Sequence, residues 1–513
     1  MRNCKKQTHI VGTGLPDGPK KINKGDYTMQ NLISKIKQNV TYEYSFNNAK
    51  NVEDYKELVY EKELTITNAD GCVTTTIEQI WTNAIQKALD ENECVYIPKM
   101  EQRIFIDNSI FLHSNNKLKV DVGQEIVLTP DTDVCMVRNE NIIGGAQKHL
   151  QLDNPDCNIV VEGGIWNALS FHDQPDSEVV ITDDDVFTNV YSGKGRLRAD
   201  KEDSITGVFA IMLFSNIKNL IVKNVTMANS LSYGVQLSNC ESVFIENILF
   251  ENYHKDGIHV NGPAKYVHLN ELSGKNMGDD LVALNAWDWS TSAMSFGTIE
   301  YTLVENVHSV HSEMRLLPGR KVYDDGNKAD CDIRNCVVQN VEGVYTYKMY
   351  AQPYFVDTRD CSETVGVMDN IYMHNISFPE ITGGGLNGVS VGGLFEVCAD
   401  TNNLHFDNIT IKNSADDFKK LGIPMIKVGP LSETFKFGSE KPEKWREIMS
   451  PDDVCTAKNT YIGNVSFTDY ATTKADADIL IRATKQTINE DYPNTLPKGG
   501  TGYGTVENVI FEG

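Results

Sequence analysis

Three aspartates in this 513-residue chain fall in phrases that could bring carboxylates together. Asp256 lies in His254-Lys-Asp-Gly-Ile-His-Val260, and Asp279 and Asp280 lie in Met277-Gly-Asp-Asp-Leu-Val-Ala-Leu-Asn285. Carboxylates within a few ångströms repel one another, so at least one keeps its proton near neutrality and an acid stands beside a base. Cleavage of a glycosidic bond needs that combination: one carboxylic acid protonates the leaving oxygen while another carboxylate handles water. Asp-Gly and Gly-Asp-Asp are equally ordinary turn sequences with inert, exposed acids. Register decides between the two readings.

That register comes from an internal repeat. Leu220-Ile-Val-Lys-Asn-Val-Thr-Met, Val243-Phe-Ile-Glu-Asn-Ile-Leu-Phe and Tyr266-Val-His-Leu-Asn-Glu-Leu-Ser align without gaps, with Asn224, Asn247 and Asn270 spaced 23 apart. The same phrase recurs around Asn306, Asn335, Asn375, Asn408, Asn464 and Asn508 at longer intervals. Strict alternation around a central Asn fits two short strands meeting at a bend and does not fit a helix of period 3.6. Asparagine tolerates the left-handed backbone of such a bend, and stacked asparagines can bond one another in a ladder. The fold class predicted is therefore all-β: a single-stranded right-handed parallel β-helix, a solenoid whose coils contact only their neighbours. Asp256 and Asp279 are one repeat apart, so they are expected on adjacent coils roughly 4.8 Å apart. Asp280 points to the opposite face unless the chain bends at the pair, which Gly278 would permit.

The remaining elements follow from this frame. Thr75–Asp90 has helical apolar spacing and a Thr76–Glu78 opening, so a helix is expected there, capping the open strand edges of the first coil. Residues 1–70 read as an N-terminal extension and 71–513 as the β-helix, with loops inserted at about 286–298, 344–366 and 415–458. Insertions in repeat proteins collect on one face, commonly the binding face.

Around the aspartates, His259 lies at the outward parity of its strand and is expected to meet substrate. Trp287 and Trp289 either stack on a sugar ring or plug the base of their loop. Arg315 and Arg320 either fork onto a substrate carboxylate or sulfate, or neutralise the aspartates. Lys255, beside Asp256, is expected to be a further substrate contact. No His/Cys cluster has zinc spacing and no phosphate-type glycine loop is present, so no metal or cofactor is expected.

Composition narrows the partners. The formal net charge is −24, which argues against nucleic acid or an anionic membrane as partner. Hydrophobic residues make up 40% and charged residues 23%, normal for a folded globular chain, and no apolar stretch is long enough to span a bilayer. The first residues lack the apolar core of a signal peptide, so the expected location is cytoplasmic, or secreted had a leader been removed. Eleven cysteines without a CxxC pair, four of them (Cys240, Cys331, Cys336 and Cys398) in apolar runs, suggest reduced core thiols.

From Gly207 to Asn285 the order of phrases resembles the polygalacturonases, glycoside hydrolase family 28. The pieces that carry the resemblance are Phe209-Ala-Ile-Met-Leu-Phe, Ile221-Val-Lys-Asn-Val-Thr-Met-Ala-Asn-Ser, Lys255-Asp-Gly-Ile and Gly278-Asp-Asp-Leu-Val-Ala-Leu-Asn. Upstream, Ala84-Ile-Gln-Lys-Ala-Leu-Asp, Cys94-Val-Tyr-Ile-Pro and Ile159-Val-Val-Glu-Gly-Gly-Ile-Trp-Asn are similar to that family's capping helix, first strand and first coil. The resemblance implies single-displacement hydrolysis with inversion, with Asp279 as general acid and Asp256 and Asp280 activating water. Three phrases depart from the family. Its Gly-His-Gly is absent after Ala286-Trp-Asp-Trp, its Arg-Ile-Lys is here Arg315-Leu-Leu, and its Asn-Thr is here His254-Lys255. These departures leave the sugar open. The expected substrate is an oligosaccharide or polysaccharide, pectin-like or related, cut by an exo-acting hydrolase. The competing functions are a calcium-dependent lyase or epimerase on the same scaffold, with Lys255 as base, and a non-catalytic carbohydrate-binding β-helix.

Overall fold

The computed structural model describes residues 28–67, 72–142, 152–169, 196–197, 208–288, 293–350, 366–382, 392–429, 455–483 and 504–511, except 131, 133, 153, 231, 254, 324–325 and 473–475. The described chain is mostly strand with few helices. Long strands, Val208–Ser230, Tyr233–Tyr253, Ile258–Met277, Ile299–Leu317 and Ile333–Tyr350, each pair in parallel with the next. One column of facing residues runs Leu220, Val243, Val267, Thr302, Cys336, Ile371, Leu404, Thr460 and Val509. The first eight of these are wholly buried, which is what alternation dictates when one face of every strand turns inward.

The bends are made by asparagines in the left-handed region, and two of the ladders they form carry the repeated phrase. In one, Asn247 donates to Asn224, Asn340 to Asn306, Asn375 to Asn340 and Asn408 to Asn375, at 2.7–3.0 Å. Asn335 and Asn508 belong to the other: Asn370 donates to Asn335 and Asn508 to Asn459. Asn464 bonds instead to Asp407, at 3.1 Å. Two of a coil's several bends use the same short phrase, which makes the intervals between its copies irregular.

The register also corrects the repeat length near the site. Ser238 faces Asn261, a step of 23, but Cys240 faces Ala264, a step of 24. The extra residue enters at Gly262-Pro263, and the step of 24 then persists, with Ile258 facing Val282. Asn270 therefore stands opposite Glu246, donates to its carboxylate at 2.9 Å, and leaves the left-handed bend to Glu271.

At the N-terminal side the expected helix begins seven residues later than predicted. Val73–Ile80 is a strand paired antiparallel with Tyr60–Thr67, with the Thr65 and Thr75 hydroxyls 3.0 Å apart, and the helix spans Thr82–Glu91. The run Val73-Thr-Thr-Thr-Ile77 is β-branched throughout, and stiff β-branched side chains favour the pleated strand over the helix. The helix buries Ala84, Ile85, Ala88 and Leu89 in the main core. The segment before residue 70 is tied to the stack at further points as well. Lys50–Asn51 pairs with the strand at Val95, and the helix Met29–Asn39 lays Leu32, Ile33 and Ile36 on Leu303, Val337 and Tyr372.

Of the expected loops, 344–350 is strand and 351–365 lies outside the described residues. Residues 415–429 hold the helix Ala415–Leu421 and a strand, Ile426–Val428, that stacks on Phe395–Val397, while 430–454 lie outside the described residues. Cys240, Cys331, Cys336 and Cys398 are buried free thiols, but Cys157 is disulfide-bonded, which departs from the all-reduced expectation. Among the described residues no helix is long and apolar enough to cross a membrane.

Candidate active site

Because the coil step is 24 here, the backbone match of Asp256 is Asp280 and not Asp279. The Gly234 N–H donates to the Asp256 carbonyl at 3.0 Å, and the Gly257 N–H to the Asp280 carbonyl at 2.9 Å. Gly257 has no room for a side chain: a Cβ would come 2.7 Å from the Leu281 carbonyl and against the Phe250 ring. The chain bends at Gly278–Asp279, and a register shift follows between Asp280 and Val282. Bend and shift together bring an oxygen of Asp256, Asp279 and Asp280 within 4.8 Å of one another.

The three carboxylates sit in different surroundings. The Asp279 side chain is 27% exposed, whereas Asp280 is fully buried and Asp256 nearly so. Arg315, on the next coil, reaches Asp280 with Nε at 2.9 Å and Asp279 with Nη2 at 3.5 Å. Burial pushes the Asp280 carboxyl well above the ordinary range; Arg315 opposes this, while Asp279, Asp256 and Glu313 add to it. Burial and then Asp279 also raise Asp256, with His259 and Arg315 pulling the other way. Glu313 faces Asp280 in the ladder and pairs with Lys348 at 2.8 Å. Burial raises its carboxyl against the pull of Lys348.

His259 does not face a ligand space. Its side chain is 1% exposed, with Nδ1 2.6 Å from Asp256 Oδ2 and Nε2 2.8 Å from Asp288 Oδ2. Burial alone would lower its pKa, but the two carboxylate bonds outweigh that and push it up to about 9. The expectation that it touches substrate is corrected, because period-2 parity cannot reveal the loop residues that fold over a strand face. Counted together, five carboxylates (Asp256, Asp279, Asp280, Asp288 and Glu313) face three cations (His259, Arg315 and Lys348). Among the described residues acids thus outnumber cations at the cluster, which favours a shared proton.

The other expected contacts divide. Arg315 is at the cluster and neutralises it. Arg320 is not: it lies on the antiparallel pair Gly319–Val322 and Lys328–Cys331, 44% exposed, with Nε 3.2 Å from Asp330. Trp287 is 4% exposed, packed near Phe296 and directly under Gly319, so it is the plug of the loop base and cannot offer a face to a sugar. Lys255 is half-buried in the turn before Asp256. Trp289 lies outside the described residues. Asp288, Glu313 and Lys348 were not anticipated. Glu313 and Lys348 follow from the ladder once its loop-lengthened steps are known, with Lys348 facing Arg315. Asp288 follows from no short-range pattern.

A cation could be held by the three aspartate oxygens, which are hard donors. Arg315 already supplies the countercharge to two of them.

No protein-family model matches this chain, and no curated protein does. Among solved structures, it is similar to a hyperthermoactive exopolygalacturonase from Thermotoga maritima, at 13% identity and a TM-score of 0.50, covering 94% of this chain and 96% of that one. A family 28 exopolygalacturonase of Yersinia enterocolitica matches at 11% identity and a TM-score of 0.43, over 90% of this chain and 78% of that one. The fold is polygalacturonase-like.

Proposed function

We propose that the chain is a glycoside hydrolase of the family 28 type, folded as a right-handed parallel β-helix and cutting a glycan by carboxylate acid/base catalysis. One observation carries this reading: three aspartates converge from adjacent coils, and only Asp279 opens to solvent. Asp279 is thus the acid that meets the leaving oxygen. Asp256 and Asp280 are too buried to touch an anomeric carbon and act through water. Attack by water instead of by a carboxylate agrees with single displacement and inversion. The fold shared with the Thermotoga maritima protein, itself an exopolygalacturonase, is consistent with an exo-acting enzyme on pectin-like oligosaccharides.

The test is a panel of defined oligosaccharides, neutral and uronate-containing, assayed for new reducing ends with Asp279→Asn as control. Release of sugar by the parent and not by the variant supports the reading. A variant that cleaves as fast as the parent, or no cleavage of any glycan, ends it. A second reading, cation-assisted elimination or epimerisation, has in its favour the three oxygens within 4.8 Å. It requires that a chelator abolish turnover, and for a lyase that the product be unsaturated and absorb in the ultraviolet.

A further inference from the structure

We propose that His259 is a positioning residue: clamped between Asp256 and Asp288, it is a fixed internal cation that orients the Asp256 carboxylate and keeps it ionised to receive a proton from water. Each ring nitrogen faces a carboxylate oxygen, at 2.6 and 2.8 Å. Nε2 also lies 3.2 Å from Asn261 Nδ2, but the Asp288 oxygen is closer, at 2.8 Å, so the carboxylate contact dominates. A neutral imidazole would aim one lone pair at a carboxylate, whereas the imidazolium donates to both.

Asp288 is held as an acceptor at Oδ2, the oxygen that meets His259. The amides of Asn285 and Asn261 point their Nδ2 groups at its Oδ2, at 3.1 and 3.3 Å. The Asn261 amide is fixed in that sense because its Oδ1 accepts from Gln236 Nε2 and from the Met294 N–H, both at 3.1 Å. A proton on Oδ2 would set O–H against these N–H groups. The Tyr233 ring lies flat on the imidazole, with centroids 4.1 Å apart and planes at 15°, an arrangement that favours a cation. His259 is thus flanked by Asp256 from its own coil, Asp288 from the loop after the next strand, and Tyr233 from the preceding coil. Asp256 in turn feels Asp279 and Arg315.

The imidazolium engages Asp256 through Oδ2, and among the described residues no hydrogen bond occupies Oδ1. On the hydrolase reading, on which this role rests, Oδ1 takes a proton from the attacking water. The water oxygen bonds to the anomeric carbon as the glycosidic C–O bond breaks, and Asp279 gives its proton to the leaving oxygen. His259 keeps both its protons throughout.

The charge state can be measured on the full chain without substrate, so its failure is distinct from failure of the hydrolase reading. Nitrogen NMR of ring-labelled histidine, with His259 assigned by its loss in His259→Gln, should show both ring nitrogens protonated at pH 7. Carbon NMR of the aspartate carboxyls, with Asp256 assigned by Asp256→Asn, should show the Asp256 midpoint rise by a unit or more in Asp288→Asn. Asn285→Ala, which loosens Asp288 without touching His259, should move it the same way by less, and it serves if Asp288→Asn does not fold. A neutral His259 at pH 7, or an Asp256 midpoint unmoved in the folded variants, overturns the proposal. Where the oligosaccharide panel yields a substrate, the acid limb of its pH–rate profile should move up with Asp256 while KM stays within about twofold; an unmoved limb also overturns it.

Discussion

Asp256 and Asp280 are backbone neighbours across one coil boundary, joined through Gly257, whose N–H donates to the Asp280 carbonyl. Two buried carboxyls so placed cannot both ionise at low cost. Both are raised, burial first, and Asp280 is pushed well above the ordinary range. A folded-state pKa raised above the unfolded value, about 3.9, makes a contribution to stability that is complete below that value and is lost as pH rises through the folded one. Asp280→Asn is isosteric with the protonated form and removes this loss. Denaturant midpoints followed from pH 4 to 9 should fall less steeply in the variant than in the parent; parallel curves would show that Asp280 is ionised throughout.

Arg315 spans two carboxylates from one planar group, Nε on Asp280 and Nη2 toward Asp279. A lysine cannot reproduce that fork. Arg315→Lys should retain the fold and lose about 10²-fold or more in kcat, the scale on which misplaced acid/base groups act. Equal kcat in the two proteins would show that the guanidinium geometry is not used.

Much of the stack is legible in the sequence because alternation and left-handed asparagines are local signals, as Asn224 and Asn247 illustrate. The aspartate cluster was legible for the same reason. What failed was anything depending on the count of residues between local signals. One extra residue at Gly262-Pro263 shifted the partner of Asp256 from Asp279 to Asp280. The bond from His259 to Asp288 crosses 29 residues and a loop, and no periodicity encodes such a contact. The helix Met29–Asn39 did leave a trace: the Thr28 cap and Leu32, Ile33 and Ile36 at helical spacing, inside a segment whose average polarity hid them.

Trp287 separates packing from recognition. As a plug beneath Gly319, its removal leaves a cavity, and Trp287→Ala should cost about 3–5 kcal/mol of unfolding free energy. Arg320→Ala, at an exposed pair with Asp330, should change stability by no more than about 0.5 kcal/mol and leave turnover intact. Chemical denaturation of both variants checks this. A Trp287→Ala protein of parental stability but impaired glycan binding would return Trp287 to the groove.

The N-terminal helix is pinned to the stack by Glu305, which accepts from Lys37 at 2.7 Å, His268 at 2.8 Å and Gln339 at 2.7 Å. Burial alone would raise this carboxyl, but the three donors outweigh it and hold the pKa at about 2. With the folded pKa depressed below an unfolded value of about 4.3, the contribution is present above that pH and lost as pH falls toward 2. Protonation of Glu305 breaks the charged bond to Lys37 and leaves the apolar seat of Leu32, Ile33 and Ile36 and Lys35 over the Tyr301 ring at 3.9 Å. Hydrogen exchange of the Met29–Asn39 amides, corrected for intrinsic rate, should therefore quicken between pH 4 and pH 2 in the parent. Glu305→Gln should exchange faster at neutral pH and show little further change in acid; a parent helix whose protection is flat over that interval would place its anchorage outside the Glu305 contacts.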